Sequence, residues 1–459
     1  MARGKSARAE SPRSAHGDWA PAADRPDPIE LLAEQARDRV PELVPIRHGR
    51  MLASPFAFFR GAALIMAADL ARTPSSAIIV QLCGDAHLSN FGVFGTPERQ
   101  LVFDVNDFDE TLPGPWEWDI KRLAASFEVA GRDQGFARAD RRKIVLTAVA
   151  AYREQMRRAA AMKTLEAWYD HLDTEVILEE LRAEERARRL RKQDLRAVER
   201  DIAKARTRDS VRVLARRATT ANGALRIAAD PPLVTPIEEL IVPGSEWEDS
   251  ERVIEGLLSS YVRTLTHDRH PVEQFRYVHT ARKVVGVGSV GTRCYILLLV
   301  GRDDDDPLFL QVKEAQPSVL ERFLEKSEYE NNGERVVVGQ RLMQSASDIF
   351  LGWERITGFD GRTHDFYVRQ FHDWKGGVDV DALGIAGSAS YARLCGTTLG
   401  RAHARWGDRI AIAAYLGKSD TFDQAIADFA VSYADQNERD YESLVAAVEG
   451  GRLSAKPGV

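Results

Sequence analysis

Between Lys283 and Val300 the chain reads KVVGVGSVGTRCYILLLV, and this stretch constrains the fold most. Its G-x-G-x-x-G spacing, Gly286, Gly288 and Gly291, suits a dinucleotide-binding turn only when the glycines lead from a strand into a helix. Here the residues after Gly291 are β-branched, aromatic and continuously apolar over the length of a strand. No G-K-[ST] closes the loop, which removes the P-loop reading as well. The glycines therefore join two antiparallel strands, Gln274 to Val285 and Cys294 to Val300. An acidic turn from Gly301 to Pro307 leads to a third strand, Leu308 to Lys313, and further strands are expected near Ile349 to Ile356 and Phe366 to Phe371.

This β-rich block lies between two helical ones. Residues 1 to about 28, rich in Ala, Arg, Ser, Pro and Asp without period, are expected to be a disordered tail. A helical part with an insert follows over 29–265, the β-rich part covers 266–375, and helices resume over 376–459, broken around Gly407 and Gly417. Ser54-Pro55 marks an N-cap and first helical residue for an apolar helix to Ala71. The helical region after Trp116 is expected to run to about Gly223; its charge-dense part, AEERARRLRKQDLRAVERDIAKARTRDSVRVLARR, reads as a solvated helix face with i,i+4 pairs. Pro231 to Pro236 is expected not to be regular structure and to mark a crossing or linker, and helices are expected from Pro317 to Ala346.

With 459 residues, 44% of them hydrophobic, the chain can bury a large core and form two or three lobes. A net charge of -6 provides no field to attract nucleic acid or anionic lipid. Cys83, Cys294 and Cys395 are far apart and form no C-x-x-C pair, which argues against disulfides and structural zinc. Without an apolar leader or a membrane-length apolar run, a cytoplasmic location is expected.

Two short β-prone runs, Ala77 to Leu82 and Gln100 to Val105, end in acidic loops: CGDAHLSN over residues 83–90 and NDFDE over 106–110. Arg47, His48, Arg50 and Arg60, just upstream, have the side chains to reach phosphates, and pairing with nearby acids is the competing reading.

A glycine hairpin followed by a third strand carrying a lysine resembles the nucleotide-binding part of protein-kinase-like enzymes. CGDAHLSN resembles the H-G-D-x-H-x-x-N loop of aminoglycoside and choline kinase-like phosphotransferases, with Cys83 in place of the first histidine. The resemblance implies Asp85 as the base that takes a hydroxyl proton, Asn90 and Asp107 as magnesium ligands with Asp109 beside them, and His87 as structural. Asp104 competes with Asp107 for the metal. Gly286, Gly288, Ser289, Gly291 and Lys313 would bind phosphates. Glu321, Glu325, Glu328 and Glu334 are available to orient Lys313, with Glu334 preferred. The backbone of Gln370 to Asp373, including Phe371, would bind adenine, and Asp119 would brace the catalytic loop. ATP and Mg2+ are the implied cofactors.

In kinase-like enzymes the glycine loop precedes the catalytic loop, whereas here it follows by roughly two hundred residues. The expected fold is therefore α+β and circularly permuted: a two-lobe kinase-like fold with a small antiparallel β-rich lobe and a large helical lobe. In that arrangement the helix around Arg393 to Arg405 packs near residues 80–92. The chain also resembles a bacterial family, domain of unknown function 2252, whose members carry R-M-x-x-S-P-F-x-F-x-R-G, G-D-x-H-x-x-N-F-G and K-V-V-G-V-G-S-V-G-T-R. These motifs stand here at Arg50 to Gly61, Gly84 to Gly92 and Lys283 to Arg293. The implied activity is ATP- and Mg2+-dependent phosphoryl transfer to a hydroxyl, the acceptor being a small molecule because only ten positions separate Asp109 from Asp119. Alternatives are nucleotidyl transfer to a protein, a non-catalytic nucleotide sensor, and a metal hydrolase built on His87, Asp85, Asp104 and Asp107.

Overall fold

The computed structural model describes residues 1–207, 213–214, 218–221, 224–241, 250–266, 269–358, 360–371 and 374–459. Its fold is α+β. Six antiparallel strands form the main sheet in the spatial order Gly352–Thr357, Thr363–Gln370, Pro307–Ala315, Cys294–Val300, Arg276–Lys283 and Val234–Pro236. The glycine stretch is the connection between two adjacent antiparallel strands of this sheet, as the apolar run after it predicts.

Strand alternation sorts the faces of this sheet. Leu310 and Val312 join Leu297, Phe366 and Val368 in an apolar cluster with Ile254 and Tyr261 of the helix Ser250–Val262. Lys313 lies opposite Cys294 on one side and Tyr367 on the other, and Gln311 lies opposite Arg369, so these polar groups share the other face. That face meets the acidic loops, where Lys313 and Tyr367 both bond to Asp109.

The helical part has its own core. The helix Glu117–Asp133 is buried almost throughout and packs with Arg138–Ala161, Ile385–Trp406 and Thr421–Glu449. The helix Ile385–Trp406 lies against the loop that follows Ile79–Leu82: Tyr391 donates to the carbonyl of Leu88 at 2.7 Å, and His403 Nε2 meets Asp119 Oδ2 at 3.1 Å. That is the neighbour expected of this helix. Among the described residues no helix is long and apolar enough to cross a membrane.

Several local expectations need correction. Residues 1–28 are not a disordered tail. Ala2–Glu10 is a helix that packs on the helix Arg409–Leu416, with Gly4 close against Ala411 and Tyr415 and Ala7 buried. Arg8 and Arg13 then donate to the carbonyls of Ala414, Tyr415 and Leu416 at that helix's C-terminus, where cations are favoured. Arg25 forms paired bonds to both Asp69 and Asp440. A segment too polar to form a core is thus ordered by capping and ion pairing.

The helix expected from Pro55 to Ala71 is two, Pro55–Gly61 and Ala63–Leu70, separated at Ala62. The charge-dense region forms Thr174–Arg186 and Lys192–Arg206, bridged by Arg182–Glu199 and Arg206–Glu175, but the chain beyond turns to strands at Ala218–Ala221 and Ala224–Ile227. The stretch Pro231 to Pro236 is not wholly irregular: Val234–Pro236 is a strand that pairs with Arg276–Lys283 at the edge of the sheet. Between Pro317 and Ala346 the helices are a short turn, Val319–Arg322, and Asn332–Met343.

Candidate active site

The catalytic-loop candidate is shaped by its backbone contacts. Gly84 has φ 83°, a conformation that favours glycine, and a Cβ there would lie 2.1 Å from the carbonyl oxygen of Glu110. Only glycine lets the two acidic loops approach so closely. Asp119 accepts from the amides of Cys83 at 2.8 Å and Gly84 at 3.1 Å, and from His403. This is the bracing role expected of it. Asn90 Nδ2 donates to the carbonyl of Asp85 at 2.7 Å, and the Asn106 amide donates to the carbonyl of Asn90 at 2.8 Å, joining the loops again.

Asp85, Asn90, Asp107 and Asp109 line one cavity of about 130 Å³ together with Gly286, Gly288 and Ser289. The expected catalytic residues and most of the glycine loop therefore meet, although far apart in sequence. Gly291 does not line this cavity: it has φ 92°, abuts the Arg39 side chain, and its carbonyl accepts from the Val40 amide at 2.8 Å. Its role is to turn the loop.

Asp85 Oδ1 accepts from Arg122 Nε at 2.8 Å, while Oδ2 stands 3.8 Å from His87 Nε2. Burial pushes the Asp85 carboxyl upward, Arg122 opposes that, and Asp107 adds to it; the net direction is up. Oδ1 is thus held by Arg122, and Oδ2 accepts no hydrogen bond from a described residue. His87 is buried and held neutral by that burial.

Lys313 is buried and its ammonium donates to Asp109 Oδ2, an ion pair between residues 204 positions apart. Burial opposes its charge, but Asp107 and Asp109 outweigh it and hold Lys313 well above the ordinary lysine range. Asp109 also accepts from Tyr367 Oη at 2.8 Å and Ser289 Oγ at 3.3 Å. Glu334 does not orient the lysine, contrary to expectation. It sits in the first turn of Asn332–Met343, and the next residue, Arg335, faces the acidic loop. Arg335 donates to the carbonyls of Asp109, Thr111 and Gln316. The helix supplies a cation that fixes the loop backbone, and the loop's own Asp109 supplies the lysine's counter-ion.

The same contacts show which of the candidate oxygens are already engaged. Both oxygens of Asp109 are engaged by Lys313, Tyr367 and Ser289, so Asp109 does not fit as a metal ligand. Asp104 is buried away from the cavity and accepts from the Ser345 amide at 3.0 Å and hydroxyl at 3.2 Å. Its role is structural, and the four-residue hydrolase cluster is not assembled. Asn90 and Asp107 remain as hard oxygen donors on one cavity. Among the described residues no three His, Cys, Asp or Glu side chains form a metal cage. A pair of protein oxygens suits magnesium, which usually takes one or two carboxylates and completes its shell with phosphate oxygens and water.

A second cavity, of about 490 Å³, lies at the end of the sheet and is bordered by Asn106, Leu308, Phe350, Arg369, Gln370 and Trp374. Phe371 does not line it: the ring packs with Ile296, Leu298 and Phe309, with Lys283 Nζ 5.2 Å from its centre. The amide of Gln370 donates to Asp348 at 2.5 Å and that of Phe371 to Phe309 at 2.9 Å, so neither is the adenine-binding donor expected of this segment. Residues 372 and 373 lie outside the described residues.

A model of the bacterial family described as "Uncharacterized protein conserved in bacteria (DUF2252)" matches residues 39–447. The chain belongs to this family. Neither the curated proteins nor the solved structures contain a match to this DUF2252 chain. The matched span includes both acidic loops, the glycine loop and Lys313.

Reading the DUF2252 sequence alone missed Arg122, Tyr367, Arg335 and Arg39. Arg122 follows Asp119 by one helical turn on the same buried helix, and Tyr367 shares strand alternation with Arg369, so periodicity held a signal for both. Arg335 carried no local signal, since its partners are carbonyls of distant loops.

Proposed function

We propose that this protein is an ATP- and Mg2+-dependent phosphotransferase acting on a hydroxyl of a small molecule, on a circularly permuted kinase-like fold. The observation that carries the reading is the meeting of Lys313 with Asp109, beside Asp107 and Asp85 and under the glycine loop. A phosphate-binding loop, a lysine on the third strand and two acidic loops are the parts such chemistry needs. Their reversed order in the chain, with the helix Ile385–Trp406 on the catalytic loop, supports permutation.

In this reading the nucleoside occupies the larger cavity, between Gln370 and Trp374. The phosphates run past Arg369 and Lys313 towards the glycine loop. Asn90 and Asp107 would hold the magnesium, which neutralises phosphate charge when bound. Arg122 fixes Asp85 so that Oδ2 accepts the hydroxyl proton of the acceptor. The acceptor oxygen forms a bond to the γ-phosphorus as the bond from that phosphorus to the β–γ bridging oxygen breaks, and ADP leaves with that electron pair. Lys313 keeps Asp109 as its counter-ion and uses its remaining ammonium donors to stabilise the charge on the phosphates.

Asp107→Ala tests the assignment. Magnesium-dependent ATP turnover is expected to be abolished while the thermal midpoint stays near that of the wild type; unchanged turnover overturns it. ATP labelled separately at the α- and γ-positions distinguishes phosphoryl from nucleotidyl transfer.

A further inference from the structure

The cavity beside Asp85 carries three cations that the roles assigned above leave unused. Arg47, on the helix Val44–Met51, is 1% exposed; its Nη2 donates to Gln35 Oε1 at 3.0 Å and the Gly61 carbonyl at 2.9 Å, while its Nε and Nη1 are buried without a partner. Arg39, 8% exposed, donates through Nη1 to the Val290 carbonyl of the glycine loop, and its Nε is buried without a partner. Arg60, in the last turn of Pro55–Gly61, is half-buried; its Nε likewise has no partner, and its guanidinium makes no hydrogen bond or ion pair with a described residue. All three line the cavity with Asp85, Asn90 and Asp107.

The acids around the same cavity do not account for them. Asp85 is held by Arg122, Asp109 by Lys313, and Glu314 by Arg293 and His364. Glu110 accepts from the Val319 amide at 2.7 Å, and burial pushes its carboxyl up to about 7, which leaves it only partly charged at neutral pH. Among the described residues Asp107 and the partly charged Glu110 have no cation bonded to them, and the three guanidiniums have no carboxylate within ion-pair distance. Buried charge left uncompensated is costly, and buried donors without partners call for a ligand. Guanidinium forks match the oxygens of phosphate and carboxylate. The cavity, about 130 Å³, has the volume of roughly four waters, enough for one such group.

We propose that Arg39, Arg47 and Arg60 form an oxyanion subsite next to Asp85, which takes a phosphate or carboxylate carried by the acceptor. This rests on the phosphotransferase reading and narrows its substrate class: the acceptor is an anionic hydroxy compound, held by its charge so that its hydroxyl faces Asp85 Oδ2. The subsite belongs to the acceptor because the nucleotide's phosphates already have Lys313 and Arg369, which stand on the sheet outside this cavity, whereas the three arginines line it with Asp85.

The test uses inorganic phosphate and Mg·ATP as separate probes, each titrated by calorimetry into the full chain, Arg47→Met, Arg60→Gln and Lys313→Met. Arg60→Gln removes no hydrogen bond or ion pair to a described residue and guards against a variant that fails to fold. Phosphate alone is expected to bind the wild type and Lys313→Met alike, and to bind Arg47→Met and Arg60→Gln about ten- to a hundredfold more weakly, the loss of one charge-assisted hydrogen-bonding group. Mg·ATP is expected to bind both arginine variants as it binds the wild type. Equal phosphate affinity in all four proteins, or none in the wild type, overturns the subsite. Loss of Mg·ATP binding in the arginine variants gives the guanidiniums to the nucleotide and overturns the acceptor assignment. Phosphate binding with the expected arginine dependence, but no Mg·ATP binding to any chain, keeps the oxyanion site and defeats the phosphotransferase reading instead.

Discussion

Replacing Arg122 by Met keeps the aliphatic stem and removes only the charge from the candidate base's partner. The guanidinium now donates to Asp85 Oδ1 at 2.8 Å and to the Phe59 carbonyl at 2.7 Å, and stacks 3.9 Å from the Phe59 ring centre. Losing the bond to Phe59 costs about 1 kcal/mol at any pH. Losing the ion pair costs an amount that depends on pH. Asp85 is already raised by burial in the native protein, and without Arg122 it rises further. A carboxyl whose folded value lies above its unfolded one contributes stability that is complete below the unfolded value and lost as pH climbs through the folded one. The variant's folded value is the higher, so its deficit against the wild type is smaller at pH 5 than at pH 8, by at most about 1.4 kcal/mol for each unit of added shift. Breaking a fully buried pair costs about 3–5 kcal/mol. The Asp85 side chain is 19% exposed, so water reaches it and about 2–3 kcal/mol is the expected total at pH 8. Urea unfolding at both pH values measures the difference, and Asp85→Asn as background is expected to remove the pH-dependent part. An equal deficit at the two pH values would refute the coupling of Arg122 to Asp85.

Glu110→Gln is expected to stabilise the protein near pH 8 by at most about 3 kcal/mol and to be neutral near pH 5, because burial holds the native carboxyl up at about 7 and its ionisation above that pH is the unfavourable step; thermal midpoints across this range check it. Arg25→Met leaves Asp69 and Asp440 buried and facing each other without their shared cation, and is expected to cost about 3–5 kcal/mol. A thermal midpoint within a degree of the wild type would show that the N-terminal segment is not held as described.

What was legible in the chain was local. The spacing of Asp85 and Asn90, the break from glycines into an apolar strand, and the position of Lys313 are sequence-near patterns, and the loops and sheet follow them. Asp119 was legible for the same reason: a helix start close to the loop places its carboxylate on the Cys83 and Gly84 amides. The counter-ion of Lys313 was not, because its choice is made across 204 positions, and a shift of one residue on a helix exchanges Glu334 for Arg335. The N-terminal segment misled for a related reason. Its Ala, Gly and Arg residues read as disordered in isolation, yet they are suited to close helix contact and to capping the carbonyls of a helix four hundred residues away. The unpartnered arginines had no sequence signature beyond charge, since only packing shows which guanidinium is left without an acid.

The central claim is that Asp107, Asn90, Lys313 and the glycine loop form one nucleotide site, and a thermal-shift screen with ATP, GTP and ADP, each with and without magnesium, tests it most directly. The account predicts a saturable rise in midpoint with a nucleoside triphosphate that requires magnesium, about 3 kcal/mol of stabilisation at a hundredfold excess over the dissociation constant. No shift with any nucleotide in either condition would contradict it.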